Sequence, residues 1–140
     1  MIIVDTAPLV AAAIQNDQDH DRCAEVFERM HRERQHLVVP CYVVAETCYM
    51  LARDGGNRPA AQFLRSLDGR TFRQIDLDYQ DTLRAAELLE TYADLGLDAA
   101  DAAIVALAER HSIDTVITLD HRDFRTVRPS HVDAFTLLPD

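Results

Sequence analysis

Three short runs of mostly β-branched residues, Ile2-Ile3-Val4, Leu37-Val38-Val39 and Thr115-Val116-Ile117-Thr118, constrain what this chain can fold into more than any other feature. Each is continuous rather than alternating, so each puts apolar groups on both faces, as a strand must when helices cover a parallel sheet on both sides. Helical patterns fill the intervals. Pro8 suits a helical first turn, where a missing N–H costs nothing, and Leu9 to Ile14 carry that helix on to Asn16. Cys23, Phe27 and Met30 mark the apolar stripe of a surface helix from His20 to about Arg34. After Pro40 closes the second strand, residues 42–53 read as a largely buried helix, and Asn57 is placed to cap a short helix through Leu67. Residues 72–75 are a candidate third strand. Tyr79, Leu83, Ala86, Leu89 and Ala93 recur at helical spacing and predict one apolar face of a helix ending near Gly96. A further helix is expected from about Asp98 to Glu109, and residues 135–138 are a candidate last strand. This alternation predicts an α/β fold: a central, mostly parallel sheet of four to five strands with helices on both sides. The length of 140 residues suits one domain, 1–140.

Charge narrows the function. The formal net charge is −10, from 24 acids against 14 arginines and no lysine. A phosphate-binding P-loop requires its Lys, and the acidic pocket of a receiver domain carries one beside its Asp, so neither fits. The acidic balance also argues against binding nucleic acid by bulk charge, since that depends on basic groups displacing counterions. Two escapes are open: a metal ion that inverts the sign of an acidic pocket, or a basic partner that covers it. Cys23, Cys41 and Cys48 are odd in number and sit in apolar stretches, which points to reduced thiols and a cytoplasmic location. No window approaches the ~18 apolar residues of a membrane span.

In an open α/β sheet, ligands sit beyond the C-terminal strand ends, so polar residues there are the ones to weigh. Asp5 follows the first strand and Asp120 lies just past the fourth, in Thr118-Leu119-Asp120. Either could merely cap the helix that follows. Glu46 is the only charge in sixteen residues, LVVPCYVVAETCYMLA, and a carboxylate in such company needs a cation or an opening to water. An arginine distant in sequence would serve; so would a metal. Asp101 lies within about 60° of Leu97, Ile104, Val105 and Ala108 at 100° per residue, so it points with the apolar face of its helix. Asp98 is the natural N-cap there, with a mainly structural role, and the alanines around Asp101 let its helix approach the first strand closely. Carboxylates gathered in this way repel and take up protons unless a cation sits among them. Hard oxygen donors suit Mg²⁺ or Mn²⁺, and the matching chemistry is phosphodiester hydrolysis. The six histidines are scattered, with no pair at ligand spacing.

The segments IIVDTAPLVA, VVPCYVVAETCYML, LGLDAADAAIVALAERH and VITLDHRDF occur in the order and spacing of PIN domains, and the chain resembles that family over nearly its whole length. More narrowly it is similar to the VapC-type toxins of type II toxin-antitoxin pairs. The resemblance implies an α/β/α sandwich, endoribonuclease activity dependent on Mg²⁺ or Mn²⁺, homodimerisation, and inhibition by a VapB-like antitoxin. Matched residue by residue, the family acids fall on Asp5, Glu46, Asp101 and Asp120, with Asp123 close to the last; the supporting hydroxyls fall on Thr6 and Thr118. Arg122, Arg125 and Arg128 follow the fourth acid and could hold RNA phosphates or form a solvated basic turn. The competing reading is a catalytically silent PIN-like protein acting as a dimeric binding module or scaffold. Haloacid-dehalogenase-like phosphatases need Asp-x-Asp after the first strand, whereas Asp5 is followed by Thr6 and Ala7.

Overall fold

The structure, a computed structural model covering residues 1–140, turns each continuous apolar run into a parallel strand. The strands are β1 (Ile2–Val4), β2 (Leu37–Pro40), β3 (Arg73–Ile75), β4 (Thr115–Ile117) and β5 (Thr136–Leu138). They form one sheet in the order β3-β2-β1-β4-β5, with every neighbouring pair parallel. In β1, β2 and β4 nearly every residue is buried, as continuous β-branched runs require, while the edge strands β3 and β5 are more exposed and correspondingly mixed in sequence.

Seven helices flank this sheet in an α/β/α arrangement: α1 (Thr6–Ala13), α2 (His20–Arg32), α3 (Cys41–Gly55), α4 (Asn57–Arg65), α5 (Tyr79–Thr91), α6 (Ala99–His111) and α7 (His121–Thr126). The core is one cluster of 31 buried residues reaching from Ile2 to Phe135. Helix α6 contributes most densely to it. Ala102, Ala103, Ile104, Val105, Leu107 and Ala108 are all fully enclosed, and the small side chains let α6 lie close to β1 and β2.

The chain winds from β1 to β2 to β3 in one direction, then crosses back to place β4 on the other side of β1. The connections leaving β1 and β4 therefore diverge, opening a crevice between their C-terminal ends, the switch point where open α/β sheets bind ligands.

Three sequence expectations are corrected. Asn57 is the first residue of α4 rather than its cap; Gly56 holds the cap position at φ +82°, a conformation that costs glycine little. Helix α3 is not largely buried: Val43, Val44, Thr47 and Leu51 face the core, but Tyr42, Ala45 and Tyr49 are exposed, Tyr49 to 68%. In α5 the inward face is Asp81, Ala85 and Leu88, whereas Tyr79 is 71% and Leu83 45% exposed. The rotation of α5 has an electrostatic cause. Asp81, only 4% exposed, accepts from Arg110 Nε at 2.8 Å, an ion pair that ties α5 to α6. Arg84 reinforces it with a two-pronged contact to Glu109 at 2.8 and 3.1 Å. Replacing Arg110 with Ala removes the cation from the Asp81 carboxylate, and because Arg110 reaches it from the surface the expected loss is ~1–2 kcal/mol; chemical denaturation of the two proteins side by side measures it.

Candidate active site

Asp5 leaves the end of β1 with extended backbone and caps α1. Its two oxygens are held separately: Oδ1 accepts from the Thr6 amide at 2.7 Å and Oδ2 from the Thr118 hydroxyl at 2.8 Å. Thr118 is fully buried just beyond β4, and its Oγ1 also accepts from the Asp120 amide at 3.0 Å. One threonine thus locks the strand ends of β1 and β4 together. Asp5 is 6% exposed, and burial pushes its carboxyl up to about 6, with Glu46 and Asp98 adding repulsion and its two hydrogen bonds opposing the rise.

Asp101 stands in the first turn of α6, reciprocally bonded with Asp98: the Asp101 amide donates to Asp98 Oδ1 at 2.9 Å, and the Asp98 amide to Asp101 Oδ2 at 3.2 Å. It is half-buried. Burial first, then the charges of Asp5 and Asp98, push it up to about 8. Asp120 caps α7 by accepting from the Asp123 amide at 3.1 Å. Burial, contact with the Asp120 carboxyl and the repulsion between them raise Asp123 as well.

Asp101, Asp120 and Asp123 each offer a carboxylate oxygen, and these oxygens lie within 4.8 Å of one another. Asp5 acts on Asp101 of this trio by charge repulsion, and Glu46 in turn acts on Asp5; neither enters the trio's tightest part. Glu46 is half-buried on α3 and makes no hydrogen bond or ion pair with any side chain. The distant arginine that could have explained it does not exist. Arg122, Arg125 and Arg128 are exposed along and beyond α7; Arg128 Nη1 donates to the Arg125 carbonyl, and none of the three pairs with a carboxylate.

Asp123, which the sequence sets only close to the fourth acid, stands in the tightest part of this acidic trio. A signal was present in the spacing. Asp78 and Asp81, Asp98 and Asp101, and Asp120 and Asp123 are three Asp-x-x-Asp pairs, each at a helix N-terminus with the first Asp capping. They share local geometry and differ in what neutralises them. The first pair has Arg110. The second and third converge on each other at the switch point and have no cationic side chain in salt-bridge contact. An array of hard oxygen donors with no ion pair among them and no His or Cys in the cluster fits a hard divalent cation. The Thr6 hydroxyl, buried beside Asp5 without a partner, is a further oxygen available there.

The family model described as PIN domain matches residues 2–128. The chain belongs to the PIN-domain family. Among PIN-domain relatives, Ribonuclease VapC26 of Mycobacterium tuberculosis is 35% identical over 138 residues, 99% of this chain and 100% of that one. Solved PIN-domain structures share the fold. Mycobacterium tuberculosis VapC20, described as a sarcin-ricin loop cleaving toxin, superposes with a TM-score of 0.73 at 20% identity over 83% of this chain and 87% of its own. Rickettsia felis VapBC2, solved bound to a DNA fragment from its promoter, gives 0.68 at 19% identity over 98% and 97%. No helix in this PIN-domain chain is long and apolar enough to cross a membrane.

Proposed function

We propose that this chain is a metal-dependent endoribonuclease toxin of the VapC type, hydrolysing RNA phosphodiester bonds at the carboxylate cluster, homodimeric, and neutralised by a cognate VapB-like antitoxin. The observation that carries the reading is the contrast among the three aspartate pairs: the pair with Arg110 is structural, and the two without a cation meet at the switch point. The name of the 35%-identical relative, a ribonuclease, supports RNA as substrate, and the toxin-antitoxin complexes among the structural relatives support the antitoxin.

Asp101, Asp120 and Asp123 would hold the ion, with Asp5 beside them. A divalent cation, when bound, supplies positive charge to the phosphoryl oxygens and acidifies water at neutral pH. Asp5 is fixed in direction by Thr118 and Thr6, so its carboxylate needs no reorganisation when substrate arrives. Glu46, which is half-buried and lacks a partner, is the group best placed to orient water or take its proton. Arg122, Arg125 and Arg128 hold the flanking RNA phosphates against the repulsion of a chain whose net charge is −10.

The test is incubation of the antitoxin-free protein with total RNA, with Mg²⁺, with Mn²⁺ and with chelator. Discrete fragments that require metal are expected. Intact RNA under every condition, together with no calorimetric signal for either ion, would instead favour the silent binding module.

A further inference from the structure

The edge of the sheet opposite the acids carries the reverse charge. Where β2 and β3 begin, a cavity of about 260 Å³ is lined by His36, Arg70 and Arg73, with Leu37 and Phe72 as its apolar wall and Gly69 at its rim. No acidic side chain lines it. Arg70 and Arg73 form no ion pair, whereas Arg22, Arg53, Arg84 and Arg110 all do. Most arginines of the chain stand outside ion pairs, but here two of them and an imidazole line one cavity that no carboxylate enters, in a chain of net charge −10.

The loop that presents Arg70 is built rather than loose. Asp68 Oδ1 accepts from the amides of Arg70 and Thr71, both at 2.8 Å, which fixes the turn and holds that carboxyl low; the Arg70 charge nearby helps without forming an ion pair with it. Gly69, at φ +84°, donates to the Phe72 carbonyl at 3.0 Å, and the Phe72 amide donates to Ser66. His31 Nε2 lies 2.9 Å from the Thr71 carbonyl and ties the loop to the end of α2. Arg73 is held from the other side by the β-ladder, opposite Val38. The two forks therefore hang from fixed backbone, and planar forks of this kind match the oxygens of a phosphate.

We propose that this cavity is a phosphate-binding site, separate from the carboxylate cluster, in which Arg70 and Arg73 hold the oxyanion, His36 donates a further hydrogen bond, and Leu37 and Phe72 contact the attached ribose or base. The phosphate belongs either to a free nucleotide or to an RNA chain. Because the site lies at the N-terminal ends of the strands and the acids at the C-terminal ends, it stands or falls independently of the nuclease reading.

The test is titration calorimetry of the whole protein in chelator, so that neither metal nor cleavage contributes, with inorganic pyrophosphate, a nucleoside diphosphate, a short single-stranded oligoribonucleotide and a glutamate-rich peptide. Binding of the phosphate ligands that weakens as salt rises is expected. R70Q/R73Q should weaken it at least tenfold with no change in thermal unfolding, and the single variants R70Q and R73Q serve if the double variant is poorly folded. Tighter binding of the diphosphate than of the oligonucleotide assigns the site to free nucleotides, and the reverse assigns it to RNA. No phosphate binding, binding indifferent to both arginines, or preference for the peptide would overturn the proposal.

Discussion

Replacing Asp101 with Asn is expected to reduce RNA cleavage by at least ~10³-fold while leaving the fold intact, because metal-assisted stabilisation of the transition state is worth several kcal/mol. The substitution is nearly isosteric. An Asn oxygen can still accept from the Asp98 amide, as Asp101 Oδ2 does at 3.2 Å, so the reciprocal cap of α6 survives. What disappears is one of the negative oxygen donors that would hold the cation. Because burial, Asp5 and Asp98 hold Asp101 protonated up to about pH 8, the neutral amide resembles the state the metal-free protein already adopts near neutrality. The metal-free variant should therefore unfold at about the same temperature as the parent near pH 4, where the carboxyl is neutral in the native state and only beginning to ionise in the unfolded chain, and at a higher one at pH 9, where the parent's carboxyl has ionised against its neighbours. Cleavage rates with Mn²⁺ and thermal unfolding at the two pH values check both halves. Loss of the folded state in the Asn variant would mark Asp101 as structural; full activity would remove it from the site.

Most of the carboxylate cluster is legible in the amino-acid sequence, and where it is not, the reason is physical. Continuous β-branched runs have few conformations that bury both faces, so β1, β2 and β4 follow from composition, and with them the positions of Asp5 and Asp120 at one end of the sheet. Glu46 could be singled out because an isolated charge in an apolar run demands a cause, and the structure removes the competing one by giving it no arginine. Periodicity misled for α5. The stripe through Tyr79 and Leu83 is the more hydrophobic, but the buried face contains Asp81, which can be enclosed only because Arg110 reaches it from α6. A window of α5 alone cannot anticipate a partner 29 residues away. Nor could it reveal that Asp123 joins Asp101, since their proximity depends on the crossing from β3 to β4 that sets the sheet order.

Stability of the metal-free protein is expected to fall as pH rises from 5 to 8, contrary to what ion-paired carboxylates would produce. The sign follows from proton counting. Asp5 and Asp101 have carboxyls raised to about 6 and about 8, so between the ordinary carboxyl range near 4 and those values the native state binds more protons than the unfolded chain. The stabilisation is complete below about pH 4 and is lost as pH passes through each native value. For the deeply buried Asp5 alone the displacement is worth ~3 kcal/mol, which at this chain length lowers the unfolding temperature by roughly 5–10 °C. Acids held low by hydrogen bonds or arginine, such as Asp68, Asp78 and Glu109, act in the opposite sense but only below the ordinary carboxyl range, outside this interval. Mn²⁺ competes with the protons. At a hundredfold excess over its dissociation constant it adds ~2.7 kcal/mol, and because the protons must leave first, the gain at pH 8 should exceed that at pH 5. Scanning calorimetry in chelator and in Mn²⁺ at both pH values, on the parent and on a D5N/D101N variant, reads all of this. The variant's profile should be much flatter, with Asp123 the one raised carboxyl left in the cluster, and its response to the metal much weaker; a parent that grows more stable with pH in chelator would mean the carboxylates already have their cations from the protein.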